Sequence, residues 1–381
     1  MSCSRSSARF ASLAASLRIA LALVALLTGS SAQAQQTPQA LLGVYYGNQG
    51  WAMDRVKAME AWQGKRHAVL NLFTDWCNRT KTMDNLFKQQ LPAIWANGNV
   101  PVITWEPFLC SSASTPSDVL VRAARGDYDA YLNAWAQRLK AFVSGPDGSY
   151  GTADDRRVYI RLAHEMNGNW YPWSAGSGGN TPGHYIETWR KVRALFAFNG
   201  LDSSTVQWIW AVNNEDVGSA SAEQCYPGDT DVDWIAIDGY NWGASQSWSA
   251  WRTPQDVFGP MAARLRALSP YRPLALTETA STSSTTGGVN VSAKSDWITQ
   301  FFGYALTHNV RMLVWFNEDK ETDWAIFGGS NGTESYRSGR TTYKAYTTYR
   351  QAVQSSALLP SSSGEPRLLS DTLFQGAWWA P

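Results

Sequence analysis

The stretch Val158-Tyr159-Ile160-Arg161-Leu162-Ala163, running straight into His164-Glu165, decides how this chain folds. Its residues are apolar almost without interruption. A strand with one wet face alternates apolar and polar side chains, whereas a continuous run suits a parallel strand covered on both sides. Comparable runs stand at 42–46, 68–73, 100–105, 206–211, 234–237, 274–277 and 312–316. Between them lie patterns of helical period, at 53–62, 128–142, 185–196, 260–268 and 295–307. The clearest is 128–142, with apolar residues at Tyr131, Leu132, Trp135, Leu139 and Phe142. Strand then helix, eight times over, predicts the α/β class and a (β/α)8 TIM barrel, for which ~250 residues or more are usual. A doubly wound open sheet is the alternative, but neither GxGxxG nor a P-loop follows the first run.

The N-terminal segment reads differently. Arg5, Arg9 and Arg18 make it basic without a single acidic residue, 19–27 is a short apolar run, and Ala32-Gln33-Ala34 offers a small-x-small cleavage site. These are the marks of a secretory signal peptide over 1–34, and the apolar run is too short to span a bilayer, which takes ~20 residues. Export to the periplasm or the medium is therefore expected, with no membrane attachment after cleavage. One domain is expected over 35–358. Residues 359–381 read as a Ser/Pro-rich tail, in which 361–365 is a linker leading to Trp378-Trp379.

The formal charge is +1, and removing the three signal-peptide arginines leaves −2. Without a basic stripe, nucleic acid is not the partner, and a neutral one is expected. The 20 Trp and 16 Tyr exceed what packing a core requires, and flat aromatic faces suit the apolar faces of sugar rings. Beyond the signal peptide Cys77, Cys110 and Cys225 remain. An odd number implies one bridge and one free thiol. Cys77 and Cys110 follow neighbouring strands, and Cys225 competes for the pairing. No CxxC pair occurs, and His67, His164, His184 and His308 are scattered, so neither a metal nor a cofactor is expected. The polar loop 145–157 carries acids but lacks the spacing of a calcium loop.

In a barrel of this kind the functional residues stand at the C-terminal ends of the strands. Those ends carry Trp105-Glu106, His164-Glu165, Asn213-Asn214-Glu215, Asp238-Gly239-Tyr240-Asn241-Trp242, Thr277-Glu278 and Trp315-Phe316-Asn317-Glu318. Helix caps or loop charges would explain one or two of these acids, but not the set. Glycoside hydrolysis needs two carboxyl groups flanking a bond, one to protonate the departing oxygen and one to attack the anomeric carbon or activate water. Strands four and seven face each other across the mouth, so Glu165 and Glu278 can converge there.

The run from Arg161 to Trp173, RLAHEMNGNWYPW, resembles the strand-four signature of glycoside hydrolase family 26, a family of retaining (β/α)8 enzymes. Tyr226-Pro227-Gly228-Asp229 with Val232 to Asn241, Pro273 to Glu278, and Val314-Trp315-Phe316-Asn317 resemble its later strands, so the likeness extends from about Gly43 to Trp324. The resemblance implies Glu165 as acid/base and Glu278 as nucleophile. It implies His164 hydrogen-bonding near the nucleophile, Tyr240 orienting it, Trp315 as aromatic floor under the sugar, and Trp170 beside the leaving group. Trp105 and Asn167 are carried as further substrate contacts. The family includes β-mannanases, mixed-linkage β-1,3-1,4-glucanases and β-1,3-xylanases. Tyr171-Pro172-Trp173 departs from the Phe-Trp-Trp of typical mannanases toward the mixed-linkage branch. The resemblance thus implies a monomeric, retaining endo-β-glycanase acting on a neutral β-linked polysaccharide, first mixed-linkage glucan, then β-1,4-mannan, then β-1,3-xylan. A catalytically inactive carbohydrate-binding barrel is the alternative of another class.

Overall fold

Each of the eight apolar runs forms a strand in the computed structural model, which describes residues 38–47 and 50–376. The expected signal peptide and Trp378-Trp379 lie outside the described residues. The strands are β1 Ala40–Tyr45, β2 Val69–Asp75, β3 Val100–Glu106, β4 Val158–Leu162, β5 Val206–Asn213, β6 Trp234–Asn241, β7 Leu274–Ser281 and β8 Val310–Phe316. Neighbours pair in parallel, and β8 pairs back onto β1, which closes the ring.

Both faces of each strand are buried, which is why the runs do not alternate. Leu41, Val69, Val102, Tyr159, Trp234, Ala236, Ala275, Met312 and Val314 fill the inside of the ring. Their neighbours Leu42, Leu70, Ile103, Ile160, Ile235, Leu276 and Leu313 face the helices. These helices are α1 Met53–Gln63, α2 Thr80–Asn85, α3 Leu91–Ala96, α4 Val119–Arg125, α5 Asp129–Val143, α6 Pro182–Phe198, α7 Pro254–Leu268 and α8 Val291–Thr307. The longer ones start where the sequence signals it. Thr181 caps α6 by accepting from the His184 N–H, and Thr253 with Asp256 forms a capping box on α7, each followed by proline. Two helices stand between β2 and β3 and two between β3 and β4, and between β5 and β6 a 3-10 turn, Glu223–Cys225, takes the place of the expected helix.

The stretch expected as a linker is followed by a packed segment. Leu358–Leu359 pairs with the start of β1, and after 361–365 the chain turns under the barrel. Leu368, Leu369 and Phe374, the last on the short helix α9 Asp371–Gln375, close the inside of the ring from below. Tyr159 donates its hydroxyl to the Phe374 carbonyl at 3.0 Å. Arg157 donates to the carbonyls of Leu369 at 2.6 Å and Ser204 at 3.1 Å, pairs with Asp371, and lies over the Phe374 ring. Cys77 and Cys110 are disulfide-bonded, joining the segments that follow β2 and β3, and Cys225 is a buried free thiol. Among the described residues no helix is long and apolar enough to cross a membrane.

Candidate active site

The mouth of the barrel holds a cluster of buried charges. Arg161, near the end of β4, points inward and donates to both Asp238 on β6 and Glu278 on β7. Thr104 receives the rest of its guanidinium, at 2.7 and 2.9 Å. Arg161 thus fixes two carboxylates from two other strands at once, one on each terminal nitrogen of its planar guanidinium. Glu278 takes a second donor on its other oxygen, the Tyr240 hydroxyl at 2.6 Å. A carboxylate, with acceptors on both oxygens, satisfies both donors.

His164 sits between these groups. Its Nδ1 lies 3.1 Å from Asp238 and 3.6 Å from Glu278, and its Nε2 lies 3.5 Å from Glu106. Burial and the neighbouring Arg161 push the imidazole down. The bonds to Asp238 and Glu106 and the charge of Glu278 outweigh them and raise it to about 10, so it is a cation at neutral pH. Glu165 is buried beside this cluster. Burial pushes its carboxyl up, the charges of Asp238 and Glu278 add to that, and the cations His164 and Arg161 oppose it; it stands at about 8. Two carboxyls in one mouth are thereby placed in different environments, the arrangement that separates an acid from a nucleophile.

Local sequence explains how β4 delivers them. Ala163 and Glu165 both have positive φ, 44° and 54°, in the left-handed region that side-chain-bearing residues avoid. The strand end is held there by the Ala163 N–H on the Trp105 carbonyl and the Glu165 N–H on the Ala211 carbonyl. On β7 a register shift against β6 falls between Leu276 and Glu278. Ala275 faces inward, so strict alternation would turn Glu278 out to the helices. The bulge turns it in. Thr277, the extra residue, donates to Asp238 at 2.7 Å. Gly168 has a separate reason: a Cβ there would come within 2.6 Å of the Trp170 ring. That ring keeps Trp170 Nε1 on Glu165 at 2.9 Å while leaving Trp170 46 % exposed at the mouth.

Glu165, Glu278, His164, Tyr240 and Trp170 therefore meet in one place. Three expected contacts do not. Trp105 is fully buried, stacked on Trp135 at 4.1 Å between β3 and α5. Trp315 is 2 % exposed and packs on Trp297, Phe301 and Tyr349 on the helix side of β8. The reason is parity: Glu106 and Phe316, one residue further along, face inward instead. Asn167 is buried and engaged in bracing the loop after β5, accepting from Asn213 N–H and donating to the Asn213 carbonyl and Asp216. The aromatic wall of the mouth is built from Tyr45, Phe73 and Phe316. Tyr45 lies 4.9 Å from Phe73 and 4.7 Å from Phe316. Arg161 has no role in the sequence reading; Tyr171, read there only for substrate preference, stacks on Trp173 at 4.2 Å and lies 5.1 Å from the His164 ring.

His164, Asp238 and Glu278 bring ligand-type atoms within 4.8 Å of one another. A cation placed there would have to displace the Arg161 guanidinium, which already joins both carboxylates.

Comparison with known proteins follows the same segments. Residues 125–270 match the model of "Glycosyl hydrolase family 26", a span that includes Glu165 and Tyr240 and stops short of Glu278. Over 302 residues the chain is 32 % identical to Endoglucanase H of Acetivibrio thermocellus. That alignment covers 78 % of this chain and 30 % of the relative, so the chain spans under a third of that protein's length. Among solved structures, a β-mannanase from Bacteroides ovatus is 17 % identical with a TM-score of 0.58, covering 87 % of this chain and 94 % of that one. The catalytic domain of an endo-β-1,4-mannanase from Bacillus sp. JAMB-750 is 17 % identical with a TM-score of 0.60, covering 88 % and 90 %. At such identities the likeness is one of fold. The strands that carry the buried charges are matched in sequence as well, so the chain resembles glycosyl hydrolase family 26 in both sequence and fold.

Proposed function

We propose that the chain cleaves internal β-glycosidic bonds of a neutral polysaccharide by double displacement with retention. The observation that carries this reading is the division of labour between two mouth carboxyls. Glu165 is driven toward its protonated form, while both oxygens of Glu278 accept from strong donors. In the first step the Glu278 carboxylate attacks the anomeric carbon as the bond to the departing sugar breaks. The Glu165 proton passes to the departing oxygen. In the second step Glu165, now ionised, takes a proton from water. The water oxygen bonds to the anomeric carbon, and the ester to Glu278 breaks. Glu165 gains its charge when Glu278 spends its own in the ester, so the buried cluster keeps a constant net charge throughout.

The proposed substrate is mixed-linkage β-1,3-1,4-glucan, with β-1,4-mannan second. The relative named an endoglucanase supports the first at 32 % identity; the mannanases are likenesses of fold. Tyr171, the first residue of the departing tripeptide, lies half-buried beside His164, while Trp173 is buried beneath it. The proposed setting is export, through 1–34, as a monomer. The test is a panel of barley glucan, galactomannan, β-1,3-xylan and β-1,4-xylan, measured by release of reducing ends. Barley glucan is expected to react fastest. Faster release from galactomannan would reassign the substrate, and release from none would favour a carbohydrate-binding barrel.

A further inference from the structure

A recess of about 330 Å³ lies beside the mouth, lined by Trp51, Phe73, Thr74, Asp75, Thr82, Asn85 and Gln90. Its size is at the lower end of the ~300–1,000 Å³ of small-molecule sites. Three features mark it as a built recess. Trp51, the first of them, is 51 % exposed, although a tryptophan elsewhere in this chain is usually buried. Second, the Asp75 carboxyl has no hydrogen-bond partner among the described residues, unlike the Glu106, Glu165, Asp238 and Glu278 carboxyls of the site beside it. Burial and the charge of Glu106 on the neighbouring strand push that carboxyl up to about 6. Third, the recess shares a wall with the site already described: Phe73 lies 6.1 Å from the His164 ring and under the Arg161 guanidinium.

Topology gives the recess a direction. β2 and β6 are diametrically opposed in a ring of eight strands, and the line joining them passes between β4 and β7. A linear chain lying along that line has Glu165 on one side and Glu278 on the other. At its β6 end it meets Tyr240 and Trp242. At its β2 end it enters the recess.

We infer that the recess is a remote subsite for a pyranose ring of the same β-linked polysaccharide, with Trp51 as its stacking platform and Asp75 accepting hydrogen bonds from two ring hydroxyls. This rests on the proposed glycanase activity. A flat aromatic face and an unpaired acceptor, set one beside the other, complement the apolar face and the hydroxyl edge of a sugar.

The test uses the full chain and the glycan chosen by the substrate panel. kcat/KM is measured on a one-unit aryl β-glycoside and on oligosaccharides of increasing length. In Trp51→Ala the ratio of long-chain to short-chain kcat/KM is expected to fall about tenfold, the equivalent of one stacked ring. Asp75→Asn is expected to lower the same ratio several-fold, and both should shift the bond cut in a long oligosaccharide by one unit. Trp51 is half-exposed, so its variant should melt near the wild type, and Asp75→Asn gives a second reading if it does not. Equal losses on short and long substrates, or no loss on either, would overturn the subsite. If no glycan is hydrolysed, the activity reading fails on its own. Quenching of tryptophan fluorescence by β-glucan oligosaccharides, compared between wild type and Trp51→Ala, then decides the subsite separately, equal quenching counting against it.

Discussion

β4 carries a buried arginine at each end, and the two do opposite things. Arg157, at the floor, is satisfied by two backbone carbonyls and by Asp371, whose side chain is largely exposed. Arg161, at the mouth, is satisfied by two carboxylates that are themselves buried. The floor arginine clamps a plug in place, in which Leu368 takes a φ of 65° beside the Leu369 carbonyl that Arg157 binds. The mouth arginine anchors a cluster in which β4 takes positive φ at two residues and β7 bulges. One strand thus separates holding the fold together from bringing charge together. Of the five side-chain-bearing residues with positive φ among the described ones, Ala163 and Glu165 are the two that stand where charge is used.

The comparison can be broken or sharpened by substitution. The largest effect is expected for Glu278→Ala, which should lower kcat by several orders of magnitude. Azide should partly restore turnover, giving a glycosyl azide of inverted configuration. The same inverted product from Glu165→Ala instead would exchange the two roles, and a proton NMR time course with the opposite anomer appearing first would end the retaining mechanism.

Arg161→Met should come next. Removing one partner leaves Asp238 and Glu278 as two buried charges sharing the single positive charge of His164, which costs about 3–5 kcal/mol of stability and most of the activity. Denaturant unfolding and kcat on the same sample read both. Arg157→Met should cost less, about 1–3 kcal/mol, because neutral carbonyls are left unpaired rather than charges. Its kcat should stay at the wild-type value. A loss of kcat from Arg157→Met that exceeds its loss of stability would mean that the two ends are coupled.

The smallest effect is the pH response of Glu165. With its carboxyl at about 8 in the free protein, kcat/KM should fall to half near that pH on the alkaline side. The stability effect has a definite sign. Folded Glu165 holds its proton more tightly than the ordinary value of 4.5, so its contribution is complete below pH 4.5 and is lost as pH rises through about 8. Wild type should therefore lose stability relative to Glu165→Gln across that window, which melting curves at several pH values measure.

How far the sequence could be read follows from the strands themselves. Continuous apolar runs located all eight, because covered parallel strands contain little else. The same continuity removed the alternation that tells one face from the other. Trp105 and Trp315 are therefore expected at the mouth but face helices, and nothing in the run marks Phe316 as the residue that faces in. Glu278 was located by its resemblance to a known strand, yet nothing local announced the bulge that turns it inward. Arg161 stood in the quoted run without a role, because its partners come from strands far away in sequence. The polar look of 361–365 suggested a linker, and the buried Leu368, Leu369 and Phe374 beyond it are too few to register as a pattern.

The plug also decides how this barrel can be leashed. Every barrel strand enters at the floor, so the described chain begins there at Pro38 and ends there, beneath the ring, at Gly376. Both points lie on the face opposite the carboxylates. A tethered module could hold the same polysaccharide nearby without standing in the cleft, and immobilisation through either point would leave the mouth turned toward solution.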